Sequence, residues 1–317
     1  MGEYKGTFTS DRGAPVAAEA RVIPLGKRTY RAVVRTGTFL EPDDSPQQPK
    51  QKLFIELSGK RRCKVAAFLF GQKLSLQLRE KGRTWNGVLR EGKLVVEAPV
   101  SDGGRFDLAL SERRSPTEAA KPPDGAVVLL PYQAGKPTNL DAWTNKNWKI
   151  YSDGSVGVFK GRSLTRRMFG DVKLHVEFMC PYEPDGRGQG RGNSGVYLQN
   201  YYEVQVLDSF GLPTKDNECG GIYSIAAPKV NASLPPLRWQ TYDITFTAPR
   251  FGADGKVAKP PTLTVLHNGI KIHDAVPAPR GTEKKTPGGE VKVGPIQLQD
   301  HSNPVRYRNI WAVEMRK

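Results

Sequence analysis

The feature that most constrains this chain is a succession of short β-type runs, most of them separated by glycine-containing gaps of hairpin size. Runs such as "TYRAVVR", "KLFIELSG" and "LSLQLRE" place apolar residues at alternate positions, which is the period of a strand. Hardly any stretch has the helical period of about 3.6 residues, so crossover helices for a parallel sheet are missing from the pattern. We therefore predict an all-β protein built from antiparallel strands.

A polar, proline-rich stretch at residues 111–126 interrupts this pattern, and we interpret it as a linker between two all-β units. Residues 1–110 predict a small sandwich or barrel, whose role the sequence leaves unknown. Residues 127–317 contain many runs joined by loops of varied length, which is typical of a two-sheet sandwich of the jelly-roll kind. Within that region Asn268-Gly269 lies between two alternating runs and predicts a type I′ hairpin turn.

Composition argues against several kinds of partner and site. No apolar run approaches the roughly 18 residues that a membrane helix needs, so no membrane span is expected. The formal net charge is +16, but the basic residues are spread over both halves without a tail or a known motif, and we expect no specific nucleic-acid partner. The spacing of Cys63, Cys180 and Cys219 does not suit a zinc site, and we interpret them as buried free thiols, with a Cys180–Cys219 disulfide as the alternative.

The cellular compartment is open on sequence grounds. The opening residues, "MGEYKGTFTSD", lack the apolar segment of a signal peptide. We expect an extracytoplasmic location, with the cytoplasm as the alternative.

Two apparent motifs do not indicate the chemistry that they are usually associated with. Gly190, Gly192 and Gly195 match G-x-G-x-x-G, but a loop precedes them and a strand follows, so no helix N-terminus is present to bind a pyrophosphate. Ser194 lies in "GNSGV", which is not a nucleophile elbow.

Four runs of the second unit, at residues 172–179, 194–200, 202–208 and 294–301, carry polar side chains at alternate positions. Because side chains alternate between the two faces of a strand, each run has one apolar face and one polar face. The polar positions are Lys173, His175, Glu177, Tyr197, Gln199, Glu203, Gln205, Gln297, Gln299 and His301, with Asp208 at the end of its strand.

Such a set of amides, carboxylates, phenol and imidazole is typical of a carbohydrate site. The hydroxyl groups of a sugar each need a hydrogen-bond partner once they are desolvated. If the four runs are neighbours in one sheet, their polar positions form one continuous surface, and curvature turns it into a groove. The alternative is an ordinary solvated face, on which His301 is a hydrogen-bonded strand-end histidine and Glu203 and Asp208 form ion pairs.

Several motifs, in the same order along residues 125–317, resemble those of the 3-keto-disaccharide hydrolase-type domain family. They include "GNSGVYLQ", "YEVQVLDSFG", "HNGIKIHD" and "GPIQLQDHSNPVRYRNIW". The resemblance implies a concanavalin A-like jelly-roll sandwich that acts on glycosides oxidised to a ketone at carbon 3. The region before it is similar to a leader domain that precedes some members. Ser302 stands where glycine is usual and Tyr307 where phenylalanine is usual, and the insert "CPYEPDGRGQGR" affects the expected substrate more than the chemistry.

The chemistry implied by the resemblance begins with a base. A ketone at carbon 3 acidifies the hydrogen on carbon 2, so that a base can remove it, the leaving group can depart from carbon 1, and water can add to the enone. Our hypothesis is that His301 or Glu203 is the base. A divalent metal ion, or a Lys or Arg side chain, could stabilise the enolate oxygen. The remaining candidates, expected to bind the carbohydrate substrate, a metal or both, or to shape the site, are Glu177, Asn193, Tyr197, Gln199, Gln205, Asp208, Tyr223, Gln297 and Gln299.

Two other functions stay open at this stage. The same sandwich with the same polar groove serves non-catalytic carbohydrate-binding modules, which is the main alternative. A surface adhesion protein that uses its positive charge is a more distant one, and it predicts binding that weakens strongly with salt.

Overall fold

The computed structural model of the chain describes residues 1–11, 13–41, 54–60, 73–80, 83–98, 103–282 and 289–315. Within these ranges every regular element is a strand except one short 3₁₀ helix, Gly188–Gly190. The all-β prediction is therefore confirmed. Contacts divide the chain into two compact units, Met1–Arg113 with Glu183–Gly186, and Arg114–Tyr182 with Arg187–Lys317.

The first unit is a closed antiparallel barrel. Each strand pairs with the next along the chain, and the eighth pairs with the first. Its strands are β1 (Gly2–Ser10), β2 (Val16–Pro24), β3 (Thr29–Thr36), β4 (Phe54–Lys60), β5 (Lys73–Glu80), β6 (Arg83–Arg90), β7 (Lys93–Glu97) and β8 (Gly104–Ser111). Small residues such as Ala20 and Ala32 share the interior with Phe8 and Phe106, so side chains pack the barrel. Cys63 lies outside the described residues.

The second unit is an antiparallel two-sheet sandwich, as predicted. Its strands are β9 (Val127–Leu130), β10 (Lys149–Ile150), β11 (Val156–Gly157), β12 (Ser163–Phe169), β13 (Val172–Met179), β14 (Ser194–Leu198), β15 (Tyr202–Val206), β16 (Gln240–Thr247), β17 (Arg250–Phe251), β18 (Val257–Lys259), β19 (Thr262–His267), β20 (Ile270–Pro277), β21 (Gly294–Leu298) and β22 (Arg306–Glu314). An eight-stranded sheet has the order β10-β11-β22-β13-β16-β19-β20, with β9 beside β22. A four-stranded sheet has the order β12-β21-β14-β15, and β17 pairs with β18.

Buried tyrosines connect the inner faces of these two sheets. The Tyr242 hydroxyl of β16 donates to the backbone oxygen of Gln205 on β15 at 2.7 Å. The Tyr307 hydroxyl of β22 donates to Ser194 Oγ on β14 at 2.8 Å. Burial raises the pKa of both phenols, which keeps them protonated donors. Successive side chains along a strand point to opposite faces. The polar positions predicted to form the site therefore lie on the outer faces of the sheets, away from this core.

Two further features, a turn and a pair of thiols, agree with the sequence. Asn268 and Gly269 have φ values of 51° and 79°, as a type I′ turn requires. Of the described cysteines, Cys180 and Cys219 are buried free thiols, which confirms that interpretation for these two. No helix among the described residues is long and apolar enough to cross a membrane.

Candidate functional site

The residues predicted to share one polar surface are divided between the two sheets. Glu177 lies on β13, in the eight-stranded sheet, whereas Tyr197, Glu203, Gln205 and Gln297 lie on β14, β15 and β21 of the four-stranded sheet. The prediction that all four runs are neighbours is therefore wrong for β13. Alternation along a strand identifies which side chains share a face, but it does not say which strands pair.

Glu177 belongs to a buried, fully paired network. Its Oε1 accepts from the Ala119 backbone N–H at 2.6 Å and from Asn309 Nδ2 at 2.7 Å, and its Oε2 accepts from Arg308 Nε at 2.7 Å. Burial opposes the charge, but the hydrogen bonds from His175, Asn309 and Arg308 outweigh it and lower the pKa of Glu177. These contacts indicate a structural carboxylate rather than a substrate ligand.

The stretch 111–126, interpreted as a linker, contributes to this same network. Ser115 Oγ lies 2.6 Å from Thr241 Oγ1, and Thr117 Oγ1 donates to Asp243 Oδ2 at 2.8 Å. Thr241 and Asp243 are on β16, so this part of the stretch packs on the outer face of the eight-stranded sheet. The division between the two units falls within this stretch, after Arg113, so most of the stretch belongs to the second unit.

Gln199 is also placed away from the polar surface. Strand β14 ends at Leu198, and Gln199 and Asn200 form a two-residue turn with φ values of 54° and 53°. The Gln199 Nε2 donates to the backbone oxygens of Phe169 at 3.3 Å and Lys292 at 3.2 Å. The strand period was extended one residue too far, and this amide secures the hairpin instead.

The remaining candidates on the four-stranded sheet form one surface, which we call the acceptor face. Tyr197 is directly opposite Glu203 on one side and Gln297 on the other. Gln205 is opposite Gly195. The backbone N–H of Tyr223 donates to the backbone oxygen of Glu203 at 3.1 Å, which places the Tyr223 segment beside β15. The acceptor face comprises Asn193, Tyr197, Glu203, Gln205, Gln297 and Gln299.

Buried oxygens without donors set this face apart. Asn193, Glu203 and Gln205 are each only 1% exposed. The side-chain oxygens of Asn193, Gln205 and Gln297 have no hydrogen-bond partner among the described residues. Each buried acceptor left without a donor costs about 1–3 kcal/mol. Three of them on one face of a sheet indicate a site that receives donors from a bound molecule.

Gly195 makes room for the Glu203 carboxylate. A β-carbon at position 195 would lie 2.2 Å from Glu203 Oε1 and 2.9 Å from Tyr197 Cε2. The carboxylate therefore lies directly over the glycine, beside the tyrosine ring. The Glu203 backbone N–H donates to Thr282 Oγ1 at 3.0 Å, which fixes this strand residue from the other side.

Gln299 and Tyr197 form a second fixed pair on the acceptor face. Gln299 Nε2 donates to the Tyr197 hydroxyl at 3.0 Å. The backbone oxygen of Gln299 accepts from Ser194 Oγ at 2.6 Å, and Ser194 accepts in turn from Tyr307. The tyrosine at 307, where phenylalanine is usual in the resembling family, thus supports the backbone that carries Gln299.

His301 lies outside the strand. Because β21 ends at Leu298, strand alternation does not determine where this imidazole points, and the side chain is exposed. Its loop is held on both sides, since Asp300 Oδ2 accepts from the Gly161 N–H at 2.7 Å and Asn303 Oδ1 accepts from the Asn193 N–H at 3.1 Å. His301 is thus an exposed residue of a fixed loop next to Asn193.

Asp208 is ion-paired. Its Oδ2 accepts from Arg191 Nε at 2.7 Å, and both side chains are buried. The backbone N–H of Asp208 also donates to the Arg191 oxygen at 3.1 Å. These contacts favour the ion-pair interpretation of Asp208 over a direct role in binding substrate.

Sequence reasoning missed Gln189, which contacts two residues of the acceptor face. Its Oε1 accepts from Asn193 Nδ2 at 3.0 Å and from Gln205 Nε2 at 2.9 Å. Gln189 lies in the 3₁₀ turn of a glycine- and arginine-rich loop that has no strand period. No local signal in the sequence distinguishes it from the polar residues around it.

A divalent metal does not fit the acceptor face well. Among the described residues, no three His, Cys, Asp or Glu side chains come together as a metal site. The acceptor face offers one carboxylate, that of Glu203, with amide oxygens, whereas Ca²⁺ and Mg²⁺ sites in proteins rely more heavily on carboxylates. We therefore derive no chemical step through a metal.

The two-sheet sandwich and its acceptor face are those of a carbohydrate-active domain. Residues 126–313 match the model of the 3-keto-alpha-glucoside-1,2-lyase-like domain, and the chain belongs to that family. The family resemblance seen in the sequence is thereby confirmed.

Two solved structures from Parabacteroides distasonis ATCC 8503, both described as proposed glycosyl hydrolases, are similar to this chain. The first is 38% identical, with a TM-score of 0.55, over 61% of this chain and 85% of that chain. The second is 15% identical, with a TM-score of 0.42, over 56% of this chain and 90% of that chain. A comparison with curated proteins gives no significant match.

Proposed function

We propose that the second unit hydrolyses glycosides that carry a ketone at carbon 3 of the sugar. A base removes the proton from carbon 2, and the electron pair of that bond forms an enolate with the ketone. The enolate then forms the carbon 1–carbon 2 double bond and expels the leaving alcohol from carbon 1. Water adds to carbon 1 of the enone and a proton returns to carbon 2, so the net reaction is hydrolysis. The family and the first of the two similar structures support carbohydrate cleavage in general.

The observation that carries this proposal is the Glu203 carboxylate on a buried face of oxygen acceptors. We assign Glu203 as the base, a role worth about 10²–10⁴ in rate. The carboxylate lies over Gly195, where a β-carbon would meet Oε1 at 2.2 Å, so the glycine permits this placement. The amide oxygens of Asn193, Gln205 and Gln297 accept from the sugar hydroxyls.

Tyr197 is our candidate for stabilising the enolate. Its hydroxyl accepts from Gln299 Nε2 at 3.0 Å, which fixes the phenol on this face, and a phenol carries one proton that it can donate. A donor aimed at the oxygen on which charge develops lowers the barrier more than one that binds the ground state. The side chain is on the strand directly next to Glu203, so one sugar can contact both groups.

His301 is the second candidate for the base, and burial separates it from Glu203. The imidazole is exposed, whereas the Glu203 side chain is almost wholly inaccessible to solvent and shares its face with the unpaired amide oxygens. We prefer Glu203 because it lies among those acceptor oxygens and directly opposite Tyr197, whereas His301 is the more accessible of the two groups.

The test compares Glu203→Gln, His301→Gln and the control Glu314→Gln in the full chain. Glu314 is an exposed carboxylate at the end of β22, in the eight-stranded sheet, and it pairs with Arg167 rather than with a residue of the acceptor face. Turnover of a panel of 3-keto-glycosides, with and without chelator, is measured together with hydrogen exchange at carbon 2 in deuterated water. We expect Glu203→Gln to lower kcat and the exchange rate at least about 10²-fold, and the two other variants to stay within about tenfold.

Each part of the proposal can fail separately. Near-normal exchange by Glu203→Gln with complete loss in His301→Gln would transfer the role of base to His301. Absence of turnover for every 3-keto-glycoside with the wild-type chain would refute the hydrolase. Equal inhibition of all variants by chelator would show that a cation is required.

The non-catalytic carbohydrate-binding module stays the second candidate, because unpaired amide oxygens serve binding as well as catalysis. It predicts that the wild-type chain binds sugars without forming product and that Glu203→Gln binds them almost as tightly.

A further inference from the structure

Gln189 fixes which atom of each neighbouring amide is nitrogen. Its Nε2 donates to the backbone oxygen of Asn217 at 2.7 Å, and a carbonyl oxygen can only accept. The other terminal atom of Gln189 is therefore the oxygen, and it can only accept as well. The atoms of Asn193 and Gln205 that lie 3.0 and 2.9 Å from it must accordingly be nitrogens.

The opposite end of each of these amides must then be its oxygen. Those oxygens, Asn193 Oδ1 and Gln205 Oε1, are the buried atoms that have no partner among the described residues. The two amides differ in how firmly they are held. Asn193 Nδ2 donates a second time, to the backbone oxygen of Gln189 at 2.8 Å, whereas the orientation of Gln205 depends on the Gln189 side chain.

We propose that Gln189 is a positioning residue that makes Gln205 an acceptor toward the ligand, and thereby selects a sugar with a hydroxyl at that position. An acceptor in a fixed orientation rejects a deoxy carbon or a methyl ether, because neither can donate a proton. If Gln205 were free to turn, it would present either its oxygen or its nitrogen, and the selection would be lost. This inference rests on the proposed function only in requiring that the ligand is a sugar.

The test measures equilibrium binding of methyl α-D-glucopyranoside and its 2-, 4- and 6-deoxy analogues by calorimetry. These sugars carry no ketone and are not turned over by the proposed reaction, so binding is read without chemistry. With the wild-type full chain, we expect at least one deoxygenation to weaken binding about tenfold, as for a hydrogen bond lost from a buried acceptor.

Gln189→Met removes the acceptor that holds Gln205, and we expect the same deoxygenation to cost less than about threefold in that variant. A role of Gln189 in loop packing alone predicts the opposite, since methionine would then weaken binding of the parent sugar and of its analogues alike. The thermal midpoint of each variant reports whether it is folded.

Equal penalties in the wild-type chain and in Gln189→Met overturn the inference, whatever the outcome for catalysis. Should Gln189→Met not fold, Gln205→Met removes the acceptor directly, and it must abolish the same penalty or the inference fails. If the wild-type chain binds none of the four sugars, this inference fails while the turnover test of the hydrolase stands by itself.

Discussion

Replacing Gly195 with alanine tests the placement of Glu203 directly. Gly195 lies within β14 and does not have a positive φ, so its backbone accommodates alanine without strain. The new methyl group would lie 2.2 Å from Glu203 Oε1 and 2.9 Å from Tyr197 Cε2, whereas ordinary contact begins near 3.4 Å, so the carboxylate is displaced most and the tyrosine ring less. The carboxylate must therefore move by about 1.2 Å, and a displacement near 1 Å of a catalytic group costs about 10²-fold in rate, or about 2.7 kcal/mol.

The assay is the initial rate of hydrolysis of a 3-keto-glycoside that the wild-type chain turns over, together with a thermal unfolding curve. We expect kcat to fall about 10²-fold, with the unfolding midpoint close to that of the wild-type chain. Gly170→Ala is the matched control, because a β-carbon there meets Lys292 O and Val293 Cγ1 at ordinary distances of 3.4 and 3.5 Å. Activity of Gly195→Ala within about threefold of the wild-type value, in a folded protein, would show that the carboxylate above residue 195 is not at the reacting centre.

Two further predictions concern buried groups away from the acceptor face. Burial opposes charge on His175, but hydrogen bonds with Asp243 and Glu177 outweigh it and raise the pKa of His175 above its ordinary 6.5. A raised pKa means that protonated His175 stabilises the folded chain. That contribution to the free energy of unfolding is complete below pH 6.5 and is lost as the pH rises through the folded pKa. The thermal midpoint of the wild-type chain should therefore fall on the alkaline side of pH 6.5, and His175→Gln should flatten that slope in circular dichroism melts; an unchanged slope would contradict the linkage. Burial raises the pKa of the Cys219 thiol, so we expect Cys219 and the buried Cys180 to resist iodoacetamide in the native chain and to react in guanidinium. Peptide mass spectrometry reads both sites, and labelling of either under native conditions would show that it is accessible.

The period of the apolar residues was sufficient to predict the fold. Strands β14 and β15 alternate strictly, and Val196, Val204 and Val206 point into the core, as expected. The Asn268-Gly269 turn was predictable because few other pairs accept positive φ at both positions. These features depend on residues that are close in the chain, and local sequence contains that information.

The site was predictable only in part, because its pairings are long-range. Glu177 and Glu203 have the same local pattern, yet one is on a strand of the eight-stranded sheet and the other on the four-stranded sheet. The hydrogen bonds of Gln189 depend on a loop without a regular period, which folds back against β14 and β15. His301 was assigned to a strand that ends three residues before it. In each case the deciding contact is with residues far away in sequence.

The balance of donors and acceptors separates a binding face from a structural network on this sandwich. On the outer face of the eight-stranded sheet, both oxygens of Glu177 meet donors, including the charged Arg308, so the network is complete within the protein. On the acceptor face, the donors of Asn193 and Gln205 are directed to Gln189 and their oxygens are left over. A protein surface that leaves several buried acceptors without donors is stable only when a molecule rich in hydroxyl groups, or water in its place, completes it. That excess of acceptors, more than the presence of a carboxylate, is the physical reason to place the sugar on the four-stranded sheet.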